Sequence, residues 1–403
     1  MIRRAGLLPG GMPDGLGEDE QLLGTALPHQ VMVFFPDPPG SLYQIEQWYA
    51  PLRALDARHR VVVVLQDSRT ARAVRRDSGL DAIVVARYST VDDLLSRSDI
   101  ALALYVNQNP ENFSNLRWGS MVHASLPHGD SDKAVTVSNL TKAYDFCFVT
   151  GRAAMDRMAA FSTFYDAGTR CLPIGRPPLD GQSSHPGPRP RPPGTSPTVL
   201  YAPTWEGAHP SVAYGSVDTH GPPLVDAFLA AGWTVIYRPH PLTGVQGGGA
   251  YAAADRAIRQ RLRRARSDGG RHRVDTGVPM RASFEDADLL VCDVSAVAVD
   301  WLAVDRPLLI TEPTRPEVMV ARTPLTGLAP SISVTAIPSA PRVAAEQLDT
   351  DPLRAARHGL VDYYLGDVTP GASTARFLAE ADRLIALRDS ERARLSELRA
   401  DAT

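Results

Sequence analysis

Lysine is almost missing from this chain of 403 residues: Lys133 and Lys142 are the only two, within a combined lysine and arginine total of 42. Its basicity is therefore carried by arginine, a pattern expected of GC-rich coding. Arginine runs such as Arg261-Leu262-Arg263-Arg264 read as solvated helix faces, with contact to anionic lipid head groups as the alternative. The 45 acidic residues leave a net charge of -3, which excludes a general nucleic-acid binder. Cysteine is equally sparse. Cys147 and Cys292 lie inside apolar runs and Cys171 sits beside Leu172, so the three thiols form neither a disulfide framework nor a metal cluster. Buried thiols in a reducing cytoplasm are the expectation. No apolar run approaches the ~20 residues of a membrane-spanning helix. The Pro-, Gly- and acid-rich N-terminus after Arg3 and Arg4 cannot form a signal-peptide core. Location is thus expected to be cytoplasmic, with any membrane contact peripheral, at the inner face of the cell membrane. His/Cys clusters and EF-hand spacing are absent, so no metal is expected. Nor is there a Gly-x-Gly-x-x-Gly fingerprint with its acidic partner, which excludes a dehydrogenase and leaves no cofactor to assign.

What is present is strand–helix alternation on a scale too long for one core. Hydrophobic content of 44% and charged content of 22% are those of an ordinary globular protein. Residues 1–28 read as a disordered tail. Residues 29–175 alternate strands (31–35, 60–65, 82–86, 100–106, 122–126, 144–150) with helices (41–58, 69–77, 91–97), predicting an α/β domain with a parallel, doubly wound sheet. Residues 176–197, dense in Pro, Gly and Ser, read as a linker. A second α/β series spans 198–365, and 366–403 is a helical region with Phe377, Leu378, Ala381 and Leu384 on one face. Gly247-Gly248-Gly249 reads as a surface loop.

Three segments of the second series share one design. Val199 to Glu206 is a strand running into a polar loop with Thr204 and Trp205. Trp233 to Pro241 is a strand delivering Arg238 and His240 to its end. Leu289 to Trp301 is an apolar strand, an Asp293-Val294-Ser295 turn and a helix beginning at Ala296. In open α/β sheets ligands bind at the carboxyl ends of strands, so the three loops predict one crevice. Unpaired N–H groups at a strand–helix junction suit phosphate, while simple N-capping by Ser295 is the plainer alternative.

The pieces YAPTWE, YRPHP and DLLVCDVSAVAVDWLAVDRPLLI, with LPHGDSDK upstream, resemble the CDP-glycerol glycerophosphotransferases, which include teichoic acid and capsule polymerases, over roughly residues 100 to 385. The resemblance implies the GT-B architecture: two Rossmann-like domains, an acceptor domain and a nucleotide-donor domain, with an interdomain cleft and a C-terminal helix returning to the first domain. The teichoic polymerases usually carry His-Gly-Thr-Pro-Leu-Lys where this chain has His128-Gly129-Asp130-Ser131-Asp132-Lys133. They carry two consecutive hydroxyl residues where it has Ser295-Ala296.

Read from chemistry alone, His128 is either a general base at a strand end or a ring capping the next helix. The resemblance implies the base that deprotonates the acceptor. Gly129, Asp130 and Lys133 are candidate substrate contacts; Asp130 and Asp132 either orient the imidazole or are solvated loop acids, and Lys133 is a candidate phosphate ligand. Arg238 and His240 form either a pyrophosphate cradle or an ion pair with a nearby acid, and the resemblance implies that His240 contacts the donor pyrophosphate. Asp293 binds a ribose or fixes its loop, Ser295 and Ala296 face the phosphates, and Thr204 and Trp205 line the crevice or pack. The expected activity is transfer of a glycerol phosphate, or a related polyol phosphate, from a CDP-activated donor to a polymer, lipid-linked or oligosaccharide acceptor, releasing CMP. A nucleotide-sugar glycosyltransferase of the same fold, or a catalytically silent module in a polymer-synthesis complex, are the alternatives.

Overall fold

A computed structural model of the chain describes residues 15–126, 129–133, 138–180, 187–192, 194–207, 209–245, 249–267, 269–277 and 280–401. It divides into two compact units, one comprising Met1–His128, Val137–Pro178 and Gly371–Thr403, the other Gly129–Thr136 and Leu179–Pro370. Each is an α/β unit around one parallel sheet.

The first sheet holds β1 (Val31–Phe35), β2 (Val61–Leu65), β3 (Asp81–Val84), β4 (Leu102–Tyr105), β5 (Val122–Ser125), β6 (Phe146–Val149) and β7 (Cys171–Pro173), ordered β3-β2-β1-β4-β5-β6-β7. The central sequences VMVFF and VVVVL are buried at every position. Unbroken apolar runs of this kind are what a parallel sheet covered on both faces demands. β1 pairs with β2 on one side and β4 on the other, so the strand order reverses between β1 and β4. The second sheet repeats the plan with β8 (Thr198–Ala202), β9 (Thr234–Tyr237), β10 (Arg273–Val274), β11 (Leu289–Cys292), β12 (Leu308–Thr311) and β13 (Ser331–Ile332), ordered β10-β9-β8-β11-β12-β13. Its order reverses between β8 and β11, which lie in register from Val199 beside Leu289 to Ala202 beside Cys292.

The helix at 372–401 completes the first unit. Phe377, Leu378, Ala381, Leu384 and Ile385 recur at helical spacing and are buried, with the Phe377 ring 5.6 Å from Trp48 and 5.7 Å from Phe148. Asp382 anchors the outer edge through Arg58 and His59, each at 2.7 Å. The helix expected over 41–58 is interrupted: helices occupy Tyr43–Glu46 and Tyr49–Asp56, separated at Gln47-Trp48. The short strand β7 has no counterpart among the elements expected from sequence.

Three boundaries differ from the expected ones. Part of the tail is structured: residues Glu18–Leu22 form a helical turn whose buried Asp19 accepts hydrogen bonds from the N–H groups of Ala86 and Arg87, at 3.2 and 3.3 Å. Those amides precede the helix Tyr88–Arg97, so a carboxylate there also meets the positive end of its dipole. The segment lacks the apolar periodicity that would mark it, and Asp19 anchors it together with Leu16, Leu22 and Leu27, which pack at the edge of the core. The Pro-rich stretch is docked over part of its length. Arg176 to Pro178 are buried in the first unit, and Gly187 donates to Val304 O and accepts from the buried Arg306. Finally, residues 129–136 group with the second unit although the strands on either side, β5 and β6, belong to the first. The Gly-rich stretch expected as a loop falls largely outside the described residues, and Gly249 opens a helix running to Ser267.

Asp19→Ala should lower stability by about 1–3 kcal/mol through its stranded amide partners, read as a reduced denaturant midpoint at unchanged slope. A pH effect follows from His123. Its Nε2–H donates to Trp118 O at 2.9 Å and its Nδ1 accepts from Tyr105 OH at 2.9 Å, a neutral ring satisfied at both nitrogens. Burial lowers its pKa from 6.5. A histidine with a depressed folded pKa binds its proton better unfolded, so its contribution is present above pH 6.5 and is lost as the pH falls from there toward the folded value. The melting temperature should drop between pH 7.5 and 5.5, and His123→Gln, which keeps a donor and an acceptor, should flatten that dependence.

Candidate functional site

β9, β8, β11 and β12 are neighbours, so the loops leaving their carboxyl ends emerge side by side at the point where the strand order of the second unit reverses. Such a reversal opens a crevice, because the flanking loops turn to opposite faces of the sheet. Asp293, directly after β11, is fully buried and organises the crevice floor. Its carboxylate accepts from the N–H of Thr204 after β8 (2.7 Å), from the N–H of Ser216 (3.3 Å) and from the Thr311 hydroxyl at the end of β12. Burial pushes its pKa up, and the hydrogen bonds together with Lys133 oppose that shift. Thr204 O in turn accepts from Tyr251 OH at 3.0 Å, so the Thr204 backbone is held from both sides.

Two residues on, Ser295 is the residue before the helix Ala296–Trp301. Its hydroxyl is buried, caps nothing and has no hydrogen-bond partner among the described residues. The N-capping role is thus not the one this side chain plays. The helix is short, six residues followed by a single 3-10 turn, so its dipole is small and the polar side chains carry most of any recognition.

His240 lies after β9, half-buried, with its ring stacked on Trp205 at a centroid distance of 6.3 Å and an angle of 24°. Its Nδ1 accepts from Leu242 N–H at 3.1 Å, which makes Nε2 the proton-bearing nitrogen of the neutral ring. Arg238 is engaged by Asp275 at 2.8 Å, both largely buried. Asp275 works against its own burial. Hydrogen bonds from the Ser283 hydroxyl and Gly277 N–H, with the Arg238 charge, hold its carboxyl below the ordinary value. Of the two alternatives for Arg238, the ion pair with a nearby acid is present.

His128 falls outside the described residues, but the residues that follow it do not. At Gly129 a built Cβ would lie 2.8 Å from the Ala296 Cβ, so only glycine permits this approach to the first residue of the helix. Asp130 and Asp132 are buried, not solvated. Asp132 accepts from Tyr364 OH at 2.7 Å and from the Thr323 hydroxyl, which itself closes a capping box on the helix Pro324–Leu328. Lys133 is half-buried with its ammonium 5.1 Å from the centre of the Tyr214 ring, and burial lowers its pKa to about 8 against the opposing pull of Asp293. Gly129, Lys133, Thr204, Asp293, Ser295 and Ala296 are therefore brought together, with Trp205 and His240 on the adjacent loops.

The sequence missed Tyr214, Thr311, Thr323 and Tyr364, which hold this arrangement from a loop, from the last residue of β12, from a helix N-cap and from the helix Arg354–Leu365. It also missed a polar cluster at the reversal point of the first unit, where Asn107 donates to Asp37 (2.8 Å) and Gln44 (2.7 Å). Its signal was positional, since Asp37 and Asn107 follow β1 and β4. No group of three or more potential metal ligands occurs among the described residues, and no described helix is long and apolar enough to cross a membrane.

Two parallel-sheet α/β units with this strand order form the GT-B architecture, and solved structures of that fold align along most of the chain. A glycosyltransferase from Rickettsia africae is 10% identical at a TM-score of 0.51, with 88% of this chain and 98% of that one covered. The glycotransferase of kitacinnamycin is 16% identical at 0.54, covering 89% and 100%. The wall teichoic acid polymerase TagF, in a crystal soaked with CDPG, is 15% identical at 0.52, covering 93% and 92%. At such identities these likenesses establish the fold alone. The sequence narrows the class: residues 137–315 match the CDP-glycerol:poly(glycerophosphate) glycerophosphotransferase family, and the chain is similar to that family through the segment containing all three strand-end loops. No curated protein matches the sequence.

Gly129→Ala should destabilise the second unit by about 1–3 kcal/mol through overpacking against Ala296. Adding Ala296→Gly, which removes the opposing Cβ, should restore part of that loss. A double-mutant cycle on melting temperature measures it, and simple additivity would show that the two residues do not touch.

Proposed function

We propose that the protein transfers a polyol phosphate, glycerol phosphate in the first instance, from a CDP-activated donor to an acceptor hydroxyl. The observation that carries the reading is the convergence of Thr204-Trp205, His240 and Asp293–Ser295 at the reversal point of the second sheet, inside the segment that matches the glycerophosphotransferase family. A crevice with an unsatisfied buried hydroxyl and an imidazole N–H on neighbouring loops suits phosphate oxygens.

In this mechanism the acceptor oxygen attacks the phosphorus that bears the glycerol while His128 takes its proton. The bond from that phosphorus to the bridging oxygen breaks, and CMP leaves with the electron pair. His240, with its proton on Nε2, and Ser295 donate hydrogen bonds to the phosphate oxygens as negative charge develops. Trp205 stacks on the His240 ring and keeps it in one orientation. Asp293, saturated by backbone and hydroxyl donors, positions Ser295 and Thr204 without itself meeting the substrate. Gly129, the next residue after His128 in sequence, rests against Ala296 at the start of the donor-loop helix.

Ligands that bind only the folded protein raise stability by about 2.7 kcal/mol at a hundredfold excess over Kd. CDP-glycerol or CMP should raise the melting temperature and UDP- or GDP-sugars should not, while His240→Ala should abolish the effect. Mass spectrometry of acceptors incubated with CDP-glycerol should show addition of glycerol phosphate, lost in His128→Ala by a factor of about 10² to 10⁴ in rate. Stabilisation by a UDP- or GDP-sugar with none by cytidine nucleotides would replace the phosphotransferase by a glycosyltransferase.

A further inference from the structure

We propose that Lys133 is the cation of the donor site: its ammonium, together with the Ser295 hydroxyl, binds the phosphate that departs with the nucleotide, the part for which Arg238 is the obvious candidate in the sequence. The identity of the anion rests on the phosphotransferase reading; the place where an anion binds does not.

The argument begins with charge. Transfer from a nucleoside diphosphate needs positive charge beside the leaving phosphate, since neutral donors alone leave much of the developing charge uncompensated. Arg238 contributes no net charge because Asp275 neutralises it at 2.8 Å. Arg315, in the loop after β12, is likewise paired with Asp218, at 3.0 Å. Lys133 is different. Among the described residues its ammonium makes neither a hydrogen bond nor an ion pair, and its one close partner is the face of Tyr214.

Position comes next. Segment 129–133 approaches the Asp293–Ala296 turn, with Gly129 against the Ala296 methyl and Lys133 in the field of Asp293, the two ends of that turn in sequence. Ser295 lies between, its hydroxyl buried and without a partner. An unpaired cation and an unpaired donor over one turn leave an anion-sized chemical need, and a phosphate oxygen would satisfy both. The plainer alternative makes Lys133 the counter-ion of Asp293. That carboxylate, however, is already satisfied by Thr204 N–H, Ser216 N–H and the Thr311 hydroxyl, and no direct pair with Lys133 forms. The segment is held by Asp132 on Tyr364 and Thr323, so Lys133 is not needed as its anchor.

Titration calorimetry on the full chain tests this with CMP, UMP, cytidine and inorganic pyrophosphate, comparing wild type with Lys133→Met and Lys133→Arg. Lys133→Met should weaken CMP and pyrophosphate by about tenfold or more, the loss of one charge-assisted bond, and leave cytidine unchanged. Lys133→Arg should recover part of the anion affinity. Unchanged anion affinity in folded Lys133→Met overturns the proposal, even if the melting temperature falls, because a counter-ion of Asp293 would behave that way. So does failure of the wild type to bind either anion. If Lys133→Met does not fold, Lys133→Gln carries the same comparison, and failure of both to fold makes Lys133 structural and ends the proposal. The two readings separate cleanly. If UMP binds as well as CMP and both depend on Lys133, cytidine recognition fails and the anion site stands. If CMP is preferred to UMP but indifferent to Lys133, the reverse holds.

Discussion

One buried carboxylate decides the shape of the second unit's crevice. Asp293 takes donors from the loop after β8, from Ser216 and from the end of β12, so the strand-end loops are fixed to one another and not merely adjacent. An ionised group with no exposure is costly to bury and persists only where its hydrogen bonds are complete. That requirement works in both directions. The loops cannot move apart without stranding the charge, and the charge cannot be lost without freeing the loops. The Thr204 backbone, bonded to Asp293 directly, and Ser295, two residues beyond it, inherit their positions from this one residue.

The second constraint is steric. Segment 129–133 reaches the second unit because Gly129 has no side chain to collide with Ala296 and because Asp132 finds two hydroxyls there. Gly129 and a Ser-Ala turn far apart in sequence thus become one feature. Gly129 rests on the Ala296 methyl, a packing contact that leaves Ser295 to present the hydroxyl at the turn.

Much of this was legible in the sequence. Both sheets could be read because their central strands are uninterrupted apolar runs, and the three strand-end loops because each combines such a run with polar residues placed where parallel sheets bind ligands. What could not be read has a common physical origin: it depends on polar contacts between segments distant along the chain. Asp19 holds a tail with little apolar content. Asp132 looked like a loop acid until Tyr364 supplied its partner 232 residues later. Arg238 looked like a ligand for phosphate, and nothing local announced that Asp275 would occupy it. Hydrophobic periodicity is a local signal, whereas the partner of a charge is not.

The same distinction explains the division of labour between the two kinds of cation. The planar guanidinium suits fixed, multidentate partners, and the buried arginines of the second unit use it so. Arg306 donates to the carbonyls of Gly187, Phe284 and Ala287, and Arg357 bridges Asp305 and Asp351, two residues in the left-handed region. Each is neutralised or saturated by the fold itself, so none is available to a ligand's charge. An ammonium is a compact point charge on a flexible stem, able to rest against an aromatic face while its charge stays uncompensated. In a chain that uses arginine almost everywhere, Lys133 is a cation that makes no ion pair among the described residues and rests on the Tyr214 ring. Burial lowers its pKa to about 8, and an anion bound beside it would oppose that shift.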